Sequence, residues 1–216
     1  MTNMFFIQKL KRGIPQRIIT FGTSLTAGGA WVGLLREQLE KLFPGMTELI
    51  NSGMGGKWSQ WAVENISEKV LSLKPDVLFI EFAMNDAFLE YRTGIKAARL
   101  NLEYIIERTA ADFPECEFIL MTMNPPLDIH LERRPDVDKY FQLYREVAET
   151  RGLTLIDHHL RWKQLLDTDK KHFLELVPDG IHPSPDGSRE ITFDNINRLI
   201  EKAMTESKTY KSISQE

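Results

Sequence analysis

Five short, almost uninterrupted apolar runs, separated by longer amphipathic stretches, constrain what this chain can fold into more than any other feature. The runs are residues 17–21 (RIITF), 47–51 (TELIN), 76–82 (DVLFIEF), 117–121 (EFILM) and 153–157 (LTLID). A strand that faces water on one side alternates apolar and polar residues, whereas a strand covered on both sides does not; these runs therefore predict a parallel sheet with both faces buried. The stretches between them read as helices over 30–43, 58–73, 94–112 and 137–150. In the third of these, Ile95, Leu100, Leu102, Ile105 and Ile106 recur at helical spacing. A long helix over 184–205 closes the domain, with Ser184 as its N-cap and Pro185 at the first helical position. Right-handed crossovers between parallel strands then give a three-layer α/β/α sandwich with a five-stranded parallel sheet, most simply of flavodoxin-like order.

The chain has 216 residues, enough for one domain, and 42% of them are hydrophobic, which supplies a single core. The organisation expected is an N-terminal extension over 1–16, the α/β domain over 17–207 and a polar tail over 208–216. A net charge of −4 with no clustering of Lys and Arg argues against nucleic acid as a partner. No run approaches the roughly 18 apolar residues of a membrane span. Near the N-terminus four apolar residues, Met4 to Ile7, precede Lys9, Lys11 and Arg12, the reverse of the order in a signal peptide. The single cysteine, Cys116, excludes an intramolecular disulfide. The cytoplasm is the default compartment, and a leader preceding this sequence is also compatible. Phe5, Phe6, Ile7 and Leu10 are expected to pack either on the domain edge or against a second subunit; the oligomeric state stays open.

In a doubly wound sheet, functional groups gather in the loops that leave the carboxyl ends of the strands. The first three such loops are Gly22-Thr23-Ser24-Leu25, Ser52-Gly53-Met54-Gly55-Gly56 and Ala83-Met84-Asn85-Asp86. All three carry small, polar or glycine residues and should open on one edge. Ser24 is the candidate nucleophile. A serine hydroxyl needs a base to take its proton, and the base needs an acid that fixes its tautomer. Of the five histidines, His182 stands in a turn just ahead of the last helix, with Asp179 three residues before it. That spacing lets the carboxylate fold back onto the imidazole. Donors for a tetrahedral oxyanion are available in the Ser24 N–H, a glycine N–H of the second loop and the Asn85 amide.

These residues resemble the SGNH (GDSL-type) hydrolase family. The family's four blocks occur in order, as Gly22-Thr23-Ser24-Leu25, Asn51-Ser52-Gly53-Met54-Gly55-Gly56, Ala83-Met84-Asn85-Asp86 and Asp179-Gly180-Ile181-His182. The resemblance implies a serine esterase, lipase or acylhydrolase with Ser24, Asp179 and His182 as its triad. It puts Ser24, Gly56 and Asn85 in the oxyanion hole and calls for no metal or organic cofactor. Two residues depart from the family pattern. Thr23 stands where the family carries an aspartate that is not the triad acid, so hydrogen bonding in this loop must be rearranged. Ala83 stands in place of a glycine.

Other residues have plainer readings. His158 and His159 follow the fifth strand and read as surface or helix-start residues; His130 and His172 read as solvated residues in polar loops. No carboxylate or cysteine spacing provides a third zinc ligand beside the His158-His159 pair. Cys116 reads as a small packed residue, and the four tryptophans as core or groove packing, with Trp58 nearest the expected pocket. The segment 124–135 leaves the fourth strand and should border the site, mixing Leu127, Ile129 and Leu131 with Asp128, Glu132, Arg133 and Arg134. With no long apolar flap, the expected substrate is a short-chain, acetyl-type ester, of a carbohydrate for example. The alternatives are a lysophospholipase or thioesterase acting on longer acyl chains and, in another class, a non-catalytic flavodoxin-like ligand-binding module.

Overall fold

The structure, a computed structural model, describes residues 4–205; the polar tail expected over 208–216 lies outside them. All five apolar runs are strands: β1 (Gln16–Gly22), β2 (Thr47–Asn51), β3 (Val77–Glu81), β4 (Glu117–Thr122) and β5 (Thr154–Asp157). They form one parallel sheet in the order β2-β1-β3-β4-β5, the flavodoxin-like order. Strand β1, between β2 and the central β3, pairs Ile18 with Leu49 on one side and with Val77 on the other.

In chain order the helices are α1 (Phe5–Lys11), α2 (Ser24–Ala27), α3 (Ala30–Leu42), α4 (Ser59–Lys69), α5 (Ala83–Asp86) and α6 (Ile95–Asp112). They continue with α7 (Asp128–Glu132), α8 (Val137–Arg151), α9 (His158–Thr168), α10 (Lys170–Leu176), α11 (Pro185–Gly187) and α12 (Asp194–Thr205). The long helices α4, α6 and α8 pack side by side on one face of the sheet, while α1, α3 and α12 cover the other. The helix expected over 58–73 stops at Lys69 and tightens into a 3₁₀ turn at Leu71–Leu73. Lys74 precedes Pro75, whose ring disfavours the helical region, and it turns left-handed at φ 52°. The last helix begins as expected, with the Ser184 hydroxyl accepting from Gly187 N at 3.1 Å, but a π-helical segment, Ser188–Phe193, interrupts it before α12.

The N-terminal segment packs on the domain edge. Phe6, Ile7 and Leu10 of α1 are buried, and the Glu117 carboxylate at the start of β4 accepts the N–H groups of Phe5 and Phe6 at 2.9 and 2.5 Å. The main core lies on both faces of the sheet, with Phe21, Trp31, Phe79, Phe82, Phe141 and Tyr144 fully buried. Each such side chain contributes about 1.5–3 kcal/mol relative to exposure. A second apolar cluster of Trp162, Phe173, Leu176, Val177 and Ile191 braces the segment that carries Asp179 and His182.

Candidate active site

The turn that carries Ser24 is held from below. Thr23 caps α2, its Oγ1 accepting from Leu25 N at 3.2 Å. The N–H and hydroxyl of Thr23 both donate to Glu81 Oε2, at 3.1 and 2.8 Å, and the Thr26 hydroxyl reaches the same oxygen at 3.2 Å. Gly22 leaves room for this arrangement: a Cβ there would lie 2.4 Å from Thr26 Oγ1 and 2.9 Å from Glu81 Oε2. The rearrangement required by Thr23 is therefore explicit. A carboxylate from the end of β3 organises the turn where the family pattern uses an aspartate within it. Burial pushes the Glu81 carboxyl up to about 7, against the opposing pull of its bonds to Thr23 and Thr26. Its Oε1 has no hydrogen-bond partner among the described residues.

The histidine arrives from the other end of the chain. Gly180 adopts φ +82°, a left-handed conformation that folds the chain back between Asp179 and His182. Asp179 Oδ1 accepts the N–H groups of Ile181 and His182 at 3.0 and 2.7 Å, and its Oδ2 lies 2.6 Å from His182 Nδ1. Burial alone would raise the Asp179 carboxyl. The two backbone donors and the imidazole outweigh it and hold the group below its ordinary range. His182 Nε2 then lies 2.9 Å from Ser24 Oγ, so serine, imidazole and carboxylate form one continuous relay. Three bonds pin the loop: Asn124 Nδ2 to Ile181 O at 3.0 Å, Leu127 N to Gly180 O at 2.8 Å and Ser184 N to Leu176 O at 2.7 Å.

The candidate oxyanion donors border the same edge. Ser24 is the first residue of α2, where an N–H has no acceptor within the helix. Among the described residues neither its N–H nor that of Gly56 has an acceptor. Gly53 differs, because its N–H is taken by Asn51 Oδ1 at 3.0 Å. The Gly56 carbonyl accepts from the Tyr91 hydroxyl at 2.7 Å, and the Tyr91 ring stacks on Trp58 with centroids 4.2 Å apart. Asn85 is buried; its Nδ2 donates to Lys57 O at 2.9 Å, which leaves a second N–H on that nitrogen. Asp86 turns the other way, and its Oδ1 accepts from Ser59 N at 2.9 Å at the start of α4.

A cavity of about 380 Å³ opens beside Ser24 and His182. Its walls are mainly apolar, from Leu25, Gly29, Trp31, Met123 and Pro183, with Ser188 and Thr192 among its polar groups. The segment expected to border the site contributes differently from the sequence expectation. Met123, just ahead of it, lines the cavity, whereas Leu127 packs on the second apolar cluster.

The rival histidines are elsewhere. His158 and His159 do start a helix, α9, but they are buried rather than at the surface. Burial lowers His158 to about 3, so it is neutral, with Asn195 Nδ2 3.1 Å from its Nδ1. His159 lies 3.4 Å from Asp138 and 3.3 Å from Arg145. His130 and His172 are on helices α7 and α10, not in loops. His172 pairs with Glu190 and Glu175, while His130 is only partly exposed and packs near Gly180. Burial drives the Cys116 thiol up to about 12. No group of three or more His, Cys, Asp or Glu side chains among the described residues is arranged to hold a metal ion. No helix among them is long and apolar enough to cross a membrane.

Three supporting residues have contacts that the sequence does not report, although segment 124–135 is expected at the site's border: Glu81 beneath the Ser24 turn, Asn124 behind the His182 loop and Arg134 behind Asn85. Each acts across 49 or more positions of chain, so no local spacing reports them.

The three-layer fold is shared with solved ester hydrolases, an acetylxylan esterase among them. The chain belongs to the GDSL-like lipase/acylhydrolase family, whose sequence profile matches residues 19–190, and it is an esterase of that family. It is 27% identical to the isoamyl acetate-hydrolyzing esterase 1 homolog of Bos taurus, with 88% of this chain and 83% of that protein covered. It is 26% identical to the lipoprotein YqeF of Bacillus subtilis (strain 168), covering 83% of this chain and 87% of that one. Among solved structures, the acetylxylan esterase Axe2 of Geobacillus stearothermophilus superimposes with a TM-score of 0.75 at 20% identity, over 90% of this chain and 98% of Axe2.

Proposed function

We propose that this esterase hydrolyses short-chain, acetyl-type esters through a covalent acyl-enzyme on Ser24. The observation that carries the proposal is the unbroken relay from Ser24 Oγ to His182 Nε2 at 2.9 Å and from His182 Nδ1 to Asp179 Oδ2 at 2.6 Å. Ser24 Oγ attacks the ester carbonyl while His182 takes its proton, and the Asp179 carboxylate stabilises the imidazolium that forms. The N–H groups of Ser24 and Gly56 and the free N–H of Asn85 receive the oxyanion. The tetrahedral adduct collapses as His182 returns the proton to the leaving alcohol. Water, deprotonated by the same imidazole, then attacks the acyl-enzyme and releases the acid and Ser24.

The choice of acyl group draws on the relatives, one named for isoamyl acetate and the other for acetylxylan, both acetyl esters. The cavity abuts His182, the group that protonates the leaving oxygen, so it suits the alcohol half of the substrate. Its apolar walls favour an alcohol with hydrocarbon surface over a polysaccharide. The non-catalytic module drops out, since the chain belongs to an esterase family.

A fluorophosphonate probe and a p-nitrophenyl ester series test the proposal. Ser24→Ala should remain folded, lose probe labelling and fall to background hydrolysis of p-nitrophenyl acetate. Wild-type activity in that variant would refute the assignment. The wild-type enzyme should prefer acetate to octanoate and palmitate; a preference for palmitate would replace the short-chain reading with that of a longer-chain acylhydrolase.

A further inference from the structure

Arg134 sits in the turn between α7 and α8, and only 7% of its surface is exposed. A guanidinium so enclosed is expected to have a carboxylate partner, because an unpaired buried charge is costly. Arg134 has none among the described residues. Its donors go to neutral oxygens: Nε to Met84 O at 2.9 Å, Nη1 to His130 O at 3.3 Å and Nη2 to Asn85 Oδ1 at 3.3 Å. Its planar group also lies 4.6 Å from the centre of the Phe88 ring. Phe88 in turn packs edge-on against Tyr91, whose hydroxyl bonds the Gly56 carbonyl. One unneutralised cation is thereby connected to two of the three loops that carry the candidate oxyanion donors, those of Gly56 and Asn85.

Two physical consequences follow for Asn85. An amide side chain can present either its oxygen or its nitrogen to a given neighbour. With a cationic donor on Oδ1 and the Lys57 carbonyl on Nδ2, the flipped orientation would set donor against donor and acceptor against acceptor. The free N–H is therefore fixed on the nitrogen side. A positive group bonded to the carboxamide oxygen also withdraws electron density from the amide, which strengthens its N–H as a donor.

We propose that Arg134 is a positioning residue for the oxyanion hole, acting through Asn85, whose carboxamide it orients and polarises. The inference rests on the assignment of Asn85 given above and extends it to a residue outside the four family blocks. Arg134 touches no reacting atom; it acts when negative charge develops on the carbonyl oxygen. Its removal should thus weaken the transition state and leave ester binding largely intact.

The test is a double-mutant cycle read by p-nitrophenyl acetate kinetics and by affinity for an alkylboronic acid, which forms a tetrahedral adduct with an active-site serine. Arg134→Met should lower kcat about 10- to 100-fold, less than the roughly 10²–10³ of a direct oxyanion donor, with KM nearly unchanged. Boronate affinity should fall in parallel with kcat. In an Asn85→Ala background the same substitution should cost less than about 3-fold, because the residue through which it acts is gone. If Arg134→Met fails to fold, Arg134→Lys with and without Asn85→Ala closes the same cycle, with a smaller loss that must again disappear when Asn85 is absent. An undiminished loss in the Asn85→Ala background would overturn the proposal, as would a folded Arg134→Met with wild-type kcat. A wild-type kcat in Asn85→Ala itself would overturn both the Asn85 assignment and this one, whereas loss in Asn85→Ala with none in Arg134→Met would overturn this one alone.

Discussion

Two carboxylates flank the turn that carries Ser24, and they solve opposite problems. Asp179 is half exposed and accepts two N–H groups from its own loop, so it stays charged and holds the imidazole. Glu81 is wholly buried and gathers three donors from a turn 55 and 58 positions away, and burial favours its neutral form. The first is built within four consecutive residues; the second exists only once β1 and β3 have paired. A carboxylate that must act on a histidine is kept near water and oriented locally. One that must hold a backbone turn can be taken out of water and oriented by the fold.

The contrast is open to test. The largest effect is expected at the exposed member: Asp179→Asn should lower kcat by about 10³–10⁴, since a neutral amide neither selects the productive imidazole tautomer nor stabilises its cation. Melting temperature should change little, and a kcat near wild type would remove Asp179 from the relay. A moderate effect is expected at the buried member, in stability rather than in chemistry. The folded-state value of Glu81 lies at about 7 against an ordinary 4.5, so between these pH values the folded protein keeps a proton that the unfolded chain has released. This contribution is complete below about pH 4.5 and is lost as pH rises through 7. Asp86 and Glu117, also raised to about 7 chiefly by burial, act in the same direction. Glu81→Gln should therefore flatten, without abolishing, the fall in melting temperature from pH 5 to 8; an unchanged slope would show that Glu81 does not titrate there. The smallest effect marks the baseline. His172→Gln, at an ion-paired surface position remote from Ser24, should leave kcat and melting temperature at pH 8 unaltered within error.

The same distinction separates what was legible in the sequence from what was not. The five strands were readable because burial on both faces writes itself as consecutive apolar residues. The Asp179–His182 spacing and the Ser184 cap were readable because each is completed within three residues. Arg134 looked like one charge among several in a polar segment, and its burial depends on where α5 comes to rest. His158 and His159 read as surface or helix-start residues and do start α9, but their burial was not legible, because polarity is the only local cue while the covering helix is α12 in one case and α8 in the other. The π-helical segment was invisible for a similar reason, since apolar spacing over 184–205 fits a regular helix.

The replacement of the family's aspartate by Thr23 also restricts how this sequence can change. Thr23→Asp would place a second carboxyl against Glu81, in a space that Gly22 keeps open by having no side chain. Glu81→Gly, made first, would strand the hydroxyls of Thr23 and Thr26 without their acceptor. Each substitution made alone is therefore expected to lower stability. The two positions are thus physically coupled, so that an aspartate at position 23 is best accommodated when Glu81 is exchanged with it.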